Sequence, residues 1–569
     1  MRKHLAILLT ALAFIGCANR GIGPQGGPRD SIPPSILKAT PENGALEFNG
    51  KELELAFNEY IQLDNITQNL LMSPPQQHQP EVKARGKRVL VQFKDSLRDS
   101  TTYTLDFGNA ICDYTEKNPL RGYLFSFSTG PYIDTLEITG RIFDAQTLNP
   151  MSGVIVGIHS NHNDSAFTSF PFDRICRSDS AGAFRIANMK QGSYRLYAVN
   201  EISRDYMLTA GESLAFYDQL VAPGDTAVLW LFSSLQQRLY MGRTTRDKQH
   251  KIQLTFSAQP DSLPVVKPLI DTLAILTTFS SHADTVTIWL TDSSSISIDS
   301  LYFEVRYRRT DSLYHLEWTT DTIRAMWRAP RLSAKALQLK LKRDAERKME
   351  LKSNASSKFE INDTLRITSA TPIKSIIVDS IHLFEKIDTI LKPVSFRLAP
   401  RDSLSLTAKL IAPLKSGKSY VLNLDSAAMH DIYNIPSRTT KYSLQLKTPE
   451  DYSTLRVKLN PFLPKARIQL LNIKDEVVRE MPADTKGAFF QYLKPDNYYL
   501  RLYIDENGDG KWTTGSWDEK SQPEQVYYFP AKLQTKPNWD FEEEWDYLAL
   551  PQTQAKPAEL IKASSAKKR

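Results

Sequence analysis

Cysteine is scarce in this sequence, with only three residues, Cys17, Cys112 and Cys176, in a chain of 569. Secreted domains that rely on disulfides carry more cysteines, usually in even numbers. A bridge between Cys112 and Cys176 would have to join two different predicted domains, so we favour two separate buried thiols over that bridge. We therefore do not expect a disulfide framework to stabilise the domains.

Long apolar runs and clustered charge are also missing. After residue 16 no stretch approaches the roughly 18 consecutive apolar residues of a transmembrane helix. The 71 basic residues are interleaved with 64 acidic ones, giving a net charge of +7. A nucleic-acid-binding protein needs its basic residues clustered in a stripe or patch, so the sequence predicts no nucleic-acid partner.

Recognisable catalytic motifs are absent as well. The nine histidines are scattered, and there is no His-Glu-x-x-His helix, no Gly-x-Ser-x-Gly elbow and no phosphate-binding glycine loop. His159, His162 and Asp164 are close enough in sequence to hold a metal, but their Ser- and Asn-rich surroundings favour a hydrated loop. We therefore predict that the protein is not an enzyme and requires no cofactor.

The N-terminus has the pattern of a targeting segment. A short basic start precedes an apolar run over residues 5–15, which is too short to span a bilayer. The run ends in Phe-Ile-Gly-Cys at 14–17, which resembles the lipobox of bacterial lipoproteins. This resemblance implies a lipoprotein signal peptide over residues 1–16, cleaved before Cys17, and the attachment of membrane lipid to Cys17.

The residues that follow Cys17 indicate how the chain leaves the membrane. Residues 17–32, which begin with the lipidated Cys17, are rich in glycine and proline and lack periodicity, so we predict a flexible tether. Ala18, in place of Asp, favours the outer membrane over the inner one by the general sorting rule of bacterial lipoproteins. We expect the soluble part to be extracytoplasmic, with the periplasmic face slightly favoured over the cell surface.

Short alternating runs dominate the rest of the chain. Leu53, Leu55 and Phe57 alternate with polar or small residues, and residues 89–93 and 123–127 continue the pattern. Alternation at period two, interrupted by turn residues, indicates half-buried antiparallel strands. The sequence therefore predicts an all-β fold of tandem β-sandwich domains.

An ordered set of motifs runs through residues 33–131. It contains Thr-Pro-Glu-Asn-Gly at 40–44, Leu97-x5-Tyr103 and Phe-Ser-Phe-Ser-Thr-Gly at 125–130. Together these motifs resemble the bacterial Ig-like domain first seen in surface-layer proteins. The Leu97-x5-Tyr103 spacing is that of a tyrosine corner, in which the tyrosine hydroxyl bonds to backbone a few residues upstream.

A different set of motifs covers residues 134–236. Ile-Thr-Gly-Arg-Ile-Phe-Asp-Ala begins at residue 138, Gly-Ala-Phe occupies 182–184, and Gly-Ser-Tyr-Arg-Leu occupies 192–196. These motifs resemble the transthyretin-like fold of carboxypeptidase regulatory domains. The resemblance implies a small seven-stranded sandwich that accompanies enzymes without being one.

Both sets of motifs recur near the C-terminus. Leu414-x5-Tyr420 repeats the tyrosine corner, and Gly-Ala-Phe at 487–489 repeats the earlier glycine motif. The economical interpretation is a duplicated pair of domains. We therefore predict a second Ig-like domain over residues 356–449 and a second transthyretin-like domain over residues 452–550.

The remaining segments have weaker signals. Residues 246–330 alternate in the same way and are predicted to form a central β domain. Residues 331–355 carry a surplus of basic residues, which is more typical of a solvated connector than of a polyanion-binding patch. Residues 551–569 are rich in Ala, Lys and Ser and are predicted to be a disordered tail.

One acidic loop has the spacing of a metal site. Asp505, Asn507 and Asp509 place oxygens at positions 1, 3 and 5 of a calcium loop, with glycine at position 6. Ser516 stands where such loops have a bidentate glutamate, and a bare Asx-type turn would use the same residues. The prediction is a structural Ca²⁺ held by Asp505, Asn507, Asp509 and the backbone carbonyl of Lys511, with the bare turn as the alternative.

The whole order of segments resembles a family of Ig-like-domain lipoproteins in Gram-negative outer membranes. The resemblance implies location more than activity, so the leading function is a non-catalytic, lipid-anchored envelope scaffold or binding protein with an envelope protein or polysaccharide as partner. Trp512, Trp517, Trp539 and Trp545 leave open a carbohydrate- or peptidoglycan-binding module, because aromatic rings can stack on sugars. A hydrolase with an unrecognised site is the third alternative.

Overall fold

The computed structural model describes residues 30–562, except residues 201–202, 210, 234–237, 293–295, 297, 312–314, 329–332 and 400–404. The described chain forms five successive two-layer sandwiches, which confirms the predicted all-β fold of tandem β-sandwich domains. They are named the first (30–130), second (134–233), third (238–328), fourth (349–448) and fifth (449–562) sandwich. The predicted signal peptide and Cys17 lie outside the described residues. No helix in the described part of the chain is long and apolar enough to cross a membrane.

The first sandwich packs a four-stranded sheet against a three-stranded sheet. Its strands are β1 (Ile36–Thr40), β2 (Glu52–Phe57), β3 (Ile61–Leu63), β4 (Leu71–Ser73), β5 (Glu81–Arg85), β6 (Arg88–Gln92), β7 (Thr102–Asp106), β8 (Ile111–Asp113) and β9 (Leu124–Ser128). The sheet orders are β1-β2-β6-β5 and β4-β7-β9, with β3 and β8 as a separate pair. Leu55, Val89 and Phe125 are fully buried between the sheets, on the apolar face that the alternation predicts.

The second sandwich has seven strands. They are β10 (Leu136–Asp144), β11 (Ile155–His159), β12 (Arg174–Arg177), β13 (Ala183–Met189), β14 (Arg195–Val199), β15 (Leu214–Phe216) and β16 (Thr226–Leu231). The sheet orders are β13-β10-β16 and β12-β11-β14-β15. β10 and β16 pair in parallel and all other neighbours are antiparallel. Ile186, Leu196 and Leu229 lie at the centre of its core.

The third sandwich also has seven strands. They are β17 (Met241–Lys248), β18 (Lys251–Phe256), β19 (Val265–Pro268), β20 (Ile275–Phe279), β21 (Thr285–Leu290), β22 (Ser300–Thr310) and β23 (Leu316–Met326). The sheet orders are β17-β18-β21-β20 and β19-β22-β23. The structure therefore begins this unit before residue 246, because Leu239 is buried in its core and β17 starts at Met241.

The fourth sandwich repeats the strand order of the first. Its strands are β24 (Leu351–Ser353), β25 (Leu365–Ser369), β26 (Ile373–Ile376), β27 (Ile381–Ile387), β28 (Ile390–Pro393), β29 (Arg397–Ala399), β30 (Thr407–Ile411), β31 (Ser419–Leu424), β32 (Met429–Asp431) and β33 (Thr440–Gln445). The orders β24-β25-β30-β29, β27-β31-β33 and β26-β32 match those of the first sandwich, and β28 is an added edge strand. Both tyrosine corners form as predicted: Tyr103 accepts a hydrogen bond from the Arg98 amide (2.7 Å) and Tyr420 from the Lys415 amide (2.8 Å).

The fifth sandwich repeats the strand order of the second. Its strands are β34 (Ser453–Leu459), β35 (Ala466–Leu471), β36 (Val477–Pro482), β37 (Ala488–Leu493), β38 (Asn497–Ile504), β39 (Val526–Tyr528), β40 (Leu533–Gln534) and β41 (Asp540–Trp545). The orders are β37-β34-β41 and β36-β35-β38-β39, with β40 also beside β38. Gly182 and Gly487 occupy equivalent turns at φ 71° and 89°, and a Cβ on either would lie 2.4 Å from a carbonyl oxygen. Glycine is therefore required at both turns.

The helices among the described residues are short. They are α1 (Ile66–Asn69), α2 (Ala166–Ser169), α3 (Ala334–Ala345) and α4 (Gln552–Ala555), with 3-10 turns at Val378–Ser380, Pro449–Asp451 and Ala558–Leu560. The longest of these four, α3, lies in the predicted basic connector and is capped by Ser333, whose hydroxyl accepts a hydrogen bond from the Ala336 amide (3.3 Å).

Two further sequence predictions need correction. The predicted connector 331–355 runs into the fourth sandwich, because Met349 is buried in its core and β24 pairs with β25. The prediction of a disordered tail over 551–569 is wrong for residues 551–562, where Lys556 and Leu560 are buried. The composition of the tail gave no sign of this, because its anchoring contacts are with residues as far away as Thr147, 409 positions earlier.

Candidate functional site

A compact loop after β38 contains the side chains of the predicted calcium site. Each of the three accepts a hydrogen bond from a backbone amide further along the loop: Asp505 Oδ2 from Gly510 (3.0 Å), Asn507 Oδ1 from Asp509 (2.9 Å) and Asp509 Oδ1 from Lys511 (2.7 Å). The two glycines of the loop have φ of 74° and 77°, so the backbone can curl tightly. The loop therefore gathers the three predicted side chains on one turn.

Two carboxylates are buried at the base of this loop. Asp505 is 6% exposed, and its Oδ1 has no hydrogen-bond partner among the described residues. Glu524 is 8% exposed and accepts hydrogen bonds from the amides of Glu506 and Thr513, both at 2.9 Å. Burial, with a further contribution from the charge of Asp505, raises the pKa of Glu524. Sequence reasoning missed Glu524, because it lies outside the spacing of the loop motif.

The rest of the predicted calcium motif is less complete. Ser516 is bonded through its backbone to Ser521 in a separate turn. Across the residues that the structure describes, no three His, Cys, Asp or Glu side chains converge as a metal-binding group. The loop would thus have to combine its carboxylates with amide and carbonyl oxygens, which are ligands that calcium accepts.

Two groups that serve catalysis in other proteins pack against apolar side chains here: the partly buried thiol of Cys176 and the buried imidazole of His159. Burial raises the pKa of the Cys176 thiol to about 12, so the reactive thiolate is not formed near neutral pH. His159 ends β11 as a buried side chain, 5.2 Å from the Phe172 ring, and burial lowers its pKa. The expectation of a hydrated loop is therefore wrong for His159, while His162 is exposed as expected.

The loop leads into an aromatic contact between the fifth and second sandwiches, called here the junction. Trp517 packs edge-on at centroid distances of 5.0 to 5.8 Å against Phe167, Tyr197 and Phe216. Gly515, next to it, lies so close that a Cβ would be 2.7 Å from the Phe232 ring. The ring of Trp517 is therefore packed inside the molecule, so this tryptophan does not serve the alternative of a sugar-stacking module.

Polar contacts extend the junction on both sides of Trp517. The Thr514 hydroxyl donates to the carbonyl of Ser233 (2.9 Å). Gln522 Nε2 donates to Asp218 Oδ1 (2.8 Å) and to a neighbouring backbone carbonyl (3.0 Å). These bonds join segments of the chain that lie about 280 to 310 positions apart.

The C-terminal segment forms a second contact between the same two sandwiches. Lys556 Nζ donates to Asp475 Oδ2 (2.8 Å) in the fifth sandwich, and to the Thr147 carbonyl (2.6 Å) and Asn149 Oδ1 (2.9 Å) in the second. The side chains of Lys556 and Asp475 are almost fully buried. The ammonium also lies 4.8 Å from the ring centroid of Tyr528, so every side of this cation faces protein.

The four late tryptophans fall into two groups. Trp512 donates to the Glu524 carbonyl (2.9 Å), Trp517 packs in the junction, and Trp545 is buried in the core. Trp539 is 52% exposed and borders a cavity of about 310 Å³ that Tyr452, Phe489, Tyr492, Gln491, Asn538 and Asp540 also line. Of these four tryptophans, only Trp539 presents an open ring beside a cavity.

The first sandwich carries the tyrosine corner that the sequence motifs anticipated. Residues 30–129 match the family model of the bacterial Ig-like domain. This match covers the first sandwich and leaves the other four outside it. No curated protein matches the chain in sequence.

Three solved structures show weak likeness to the chain. The N-terminal part of the bacterial S-layer protein SbsC is 14% identical, with 30% of this chain and 44% of that chain covered (TM-score 0.17). The major pilin subunit of Bacillus cereus is 9% identical, with 72% and 98% covered (0.13). An L,D-transpeptidase from Mycobacterium smegmatis is 12% identical, with 33% and 77% covered (0.13). The chain thus spans less than half of the S-layer structure, and scores this low transfer no function.

Proposed function

We propose that this protein is a non-catalytic scaffold of the cell envelope, held in the outer membrane by lipid on Cys17. The observation that carries the proposal is the docking of the fifth sandwich on the second through Trp517 and Lys556. This contact joins segments that are far apart in sequence. The third and fourth sandwiches lie between the second and the fifth along the chain, so the contact fixes both ends of that intervening pair. A chain tied together in this way presents fixed surfaces, as a scaffold requires.

The use of aromatic and ionisable groups supports a non-catalytic role. The rings around Trp517 fill the junction and contact one another. The Lys556–Asp475 pair is enclosed by protein and bonded on all sides. Catalytic acids, bases and nucleophiles need access to substrate, and these groups are committed to holding the sandwiches together.

The proposed anchor lies just ahead of the first sandwich, whose first strand begins at Ile36. The tether of residues 17–32 would reach roughly 55 Å when fully extended. That length is enough to lift the first sandwich clear of the lipid headgroups. We therefore propose the Ig-like and transthyretin-like units as an extracytoplasmic array on a lipid anchor.

Replacing Cys17 with alanine tests the anchor. The variant is expected to leave the membrane fraction after a high-salt wash, while the wild-type chain and a Cys176→Ala control stay in it, because Cys176 is away from the proposed lipid site. Retention of the Cys17→Ala variant in washed membranes contradicts the anchor. Protease shaving of intact cells then decides the side: protection supports the periplasmic face.

Capture of envelope components tests the scaffold. A tagged wild-type chain is expected to retain a defined envelope protein or polysaccharide after cross-linking in cells. A Trp517→Ala variant, in which the junction is weakened, should retain less of it at equal abundance. Turnover of peptide or glycoside substrates by the purified chain, free of host enzymes, would contradict the non-catalytic role.

A second candidate function is carbohydrate binding at the cavity beside Trp539. The exposed ring of Trp539 and the side chains of Tyr492, Gln491 and Asn538 line the same cavity and provide both stacking and hydrogen-bonding groups. Trp539→Ala should lower binding to peptidoglycan or envelope polysaccharide at least tenfold. Trp318→Ala is the matched control, because Trp318 is also 52% exposed but lies in the third sandwich. Equal binding by the two variants excludes the Trp539 site.

A further inference from the structure

We propose that the loop from Asp505 to Lys511 binds one calcium ion and that this ion supports the junction between the fifth and second sandwiches. The proposal stands apart from the scaffold function, since it concerns a ligand of the chain itself. It starts from an atom without a partner: Asp505 Oδ1 is buried and has no hydrogen-bond donor in the described part of the chain. A buried carboxylate oxygen without a partner is energetically costly unless a cation or a donor reaches it.

The Asp505 carboxylate is turned toward the loop. The other oxygen of the same carboxylate, Oδ2, accepts the Gly510 amide across the turn (3.0 Å). Asn507 and Asp509 are held on the same turn through their own bonds to backbone amides. One oxygen of each of these three side chains therefore uses one acceptor site to shape the loop. A carboxylate or amide oxygen retains a further lone pair for a ligand.

The charges around the loop favour a cation. Asp505 and Glu524 place two buried carboxylates at the base of the loop. The Arg467 guanidinium lies beside Gly510, 3.7 Å from the point that a Cβ on this glycine would occupy. Its ion pair is with Glu480, at 2.5 Å. Lys465 donates to the Glu506 carbonyl (2.7 Å). A divalent cation would neutralise carboxylates that these side chains leave without a direct ion pair.

The ligand chemistry selects calcium. The loop offers hard oxygen ligands from the carboxylates of Asp505 and Asp509, the side-chain amide of Asn507 and the backbone carbonyl of Lys511. Water would complete the six to eight ligands that calcium takes. The motif lacks a bidentate glutamate at its end, so the affinity should resemble that of weak extracellular sites, roughly 10⁻⁴–10⁻³ M.

The loop is continuous with the junction. Trp512 follows Lys511 directly and bonds to the Glu524 carbonyl, and Thr514 and Trp517 then contact the second sandwich. An ion that fixes residues 505–511 fixes the start of this segment. Calcium is therefore expected to stabilise the docked arrangement as well as the loop.

The test uses the full-length chain with Cys17→Ala, stripped with chelator. Calorimetric titration with Ca²⁺ should show one site, and Tb³⁺ should give sensitised emission through the adjacent Trp512. Calcium at ten times its dissociation constant should raise the melting temperature of the docked second and fifth sandwiches by about 3–6 °C. Absence of saturable binding in both titrations overturns the proposal.

Two variants and a matched control locate the site. Asp505→Asn and Asp509→Asn should each weaken binding at least tenfold and reduce the calcium-dependent melting shift. Asp509 is exposed, so its variant should fold normally in chelator even if the buried Asp505 variant does not. Asp484→Asn is the control, because Asp484 accepts the Lys486 amide (2.7 Å) in a turn of the same kind, and it should bind calcium like the parent. Undiminished binding by Asp509→Asn places the ion elsewhere and overturns the proposal.

Discussion

Replacing Lys556 with methionine should release the C-terminal segment from the second and fifth sandwiches. Methionine keeps the length of the side chain but removes the ammonium that bonds to Asp475, Thr147 and Asn149 at 2.6–2.9 Å. The buried carboxylate of Asp475 then loses its cation. Removing one partner of a buried ion pair costs about 3–5 kcal/mol. At 1.36 kcal/mol for each factor of ten, the opening equilibrium of the segment should rise by roughly 150- to 5000-fold.

Hydrogen–deuterium exchange of the peptide covering residues 552–562 measures this opening. The amides of Ala555 and Leu560 are bonded within the segment and should exchange much faster in Lys556→Met. Lys532→Met is the control, because the Lys532–Glu559 pair also holds this segment but is exposed at 3.6 Å, and exposed pairs contribute little. Unchanged exchange in Lys556→Met would refute the role of the buried pair.

Three further perturbations have defined outcomes. Trp517→Ala should weaken the junction by about 2–4 kcal/mol, seen as faster amide exchange in β15, whose Phe216 contacts the ring; unchanged exchange contradicts the docking. Gly487→Ala should lower the free energy of unfolding of the fifth sandwich by more than roughly 1–2 kcal/mol, which is the cost of the positive φ alone. Gly224→Ala is the control, because Gly224 has φ 97° and open space for a Cβ. It should lower the free energy of unfolding by the cost of the positive φ only. Burial alone would raise the pKa of Glu360, but hydrogen bonds from Tyr452, Lys447 and Lys494 lower it to about 2, below the ordinary 4.5. This contact between the fourth and fifth sandwiches should therefore stabilise fully above pH 4.5 and be lost as the pH falls toward 2, and Glu360→Gln should abolish that acid dependence in thermal melts.

Features set by local sequence were predictable. Alternation at period two depends only on neighbouring residues, so strands such as β2 and β9 and the buried Leu55 and Phe125 follow from it. The tyrosine corners are also local, since Tyr103 and Tyr420 each bond to an amide five positions upstream.

The contacts between sandwiches were not predictable in the same way. The sequence around Trp517 has no periodicity that would distinguish a ring packed on a distant sandwich from an exposed ring. The tail 551–562 is polar in composition, yet Lys556 is buried because its partners lie in two sandwiches. Glu524 joins the base of the Asp505 loop only after β39 pairs beside β38. Each of these contacts depends on how folded surfaces meet.

The docking of the fifth sandwich on the second is the central claim, and a cysteine pair tests it most directly. Asp218 and Gln522 contact each other across the junction at 2.8 Å, so a chain with Asp218→Cys and Gln522→Cys should be joined by a short bismaleimide linker. Chains with one of the two substitutions report the background from Cys112 and Cys176. Efficient cross-linking within single chains, absent from both single variants, is the predicted result. No cross-link, or cross-links only between separate chains, would contradict the docked arrangement and the scaffold built on it.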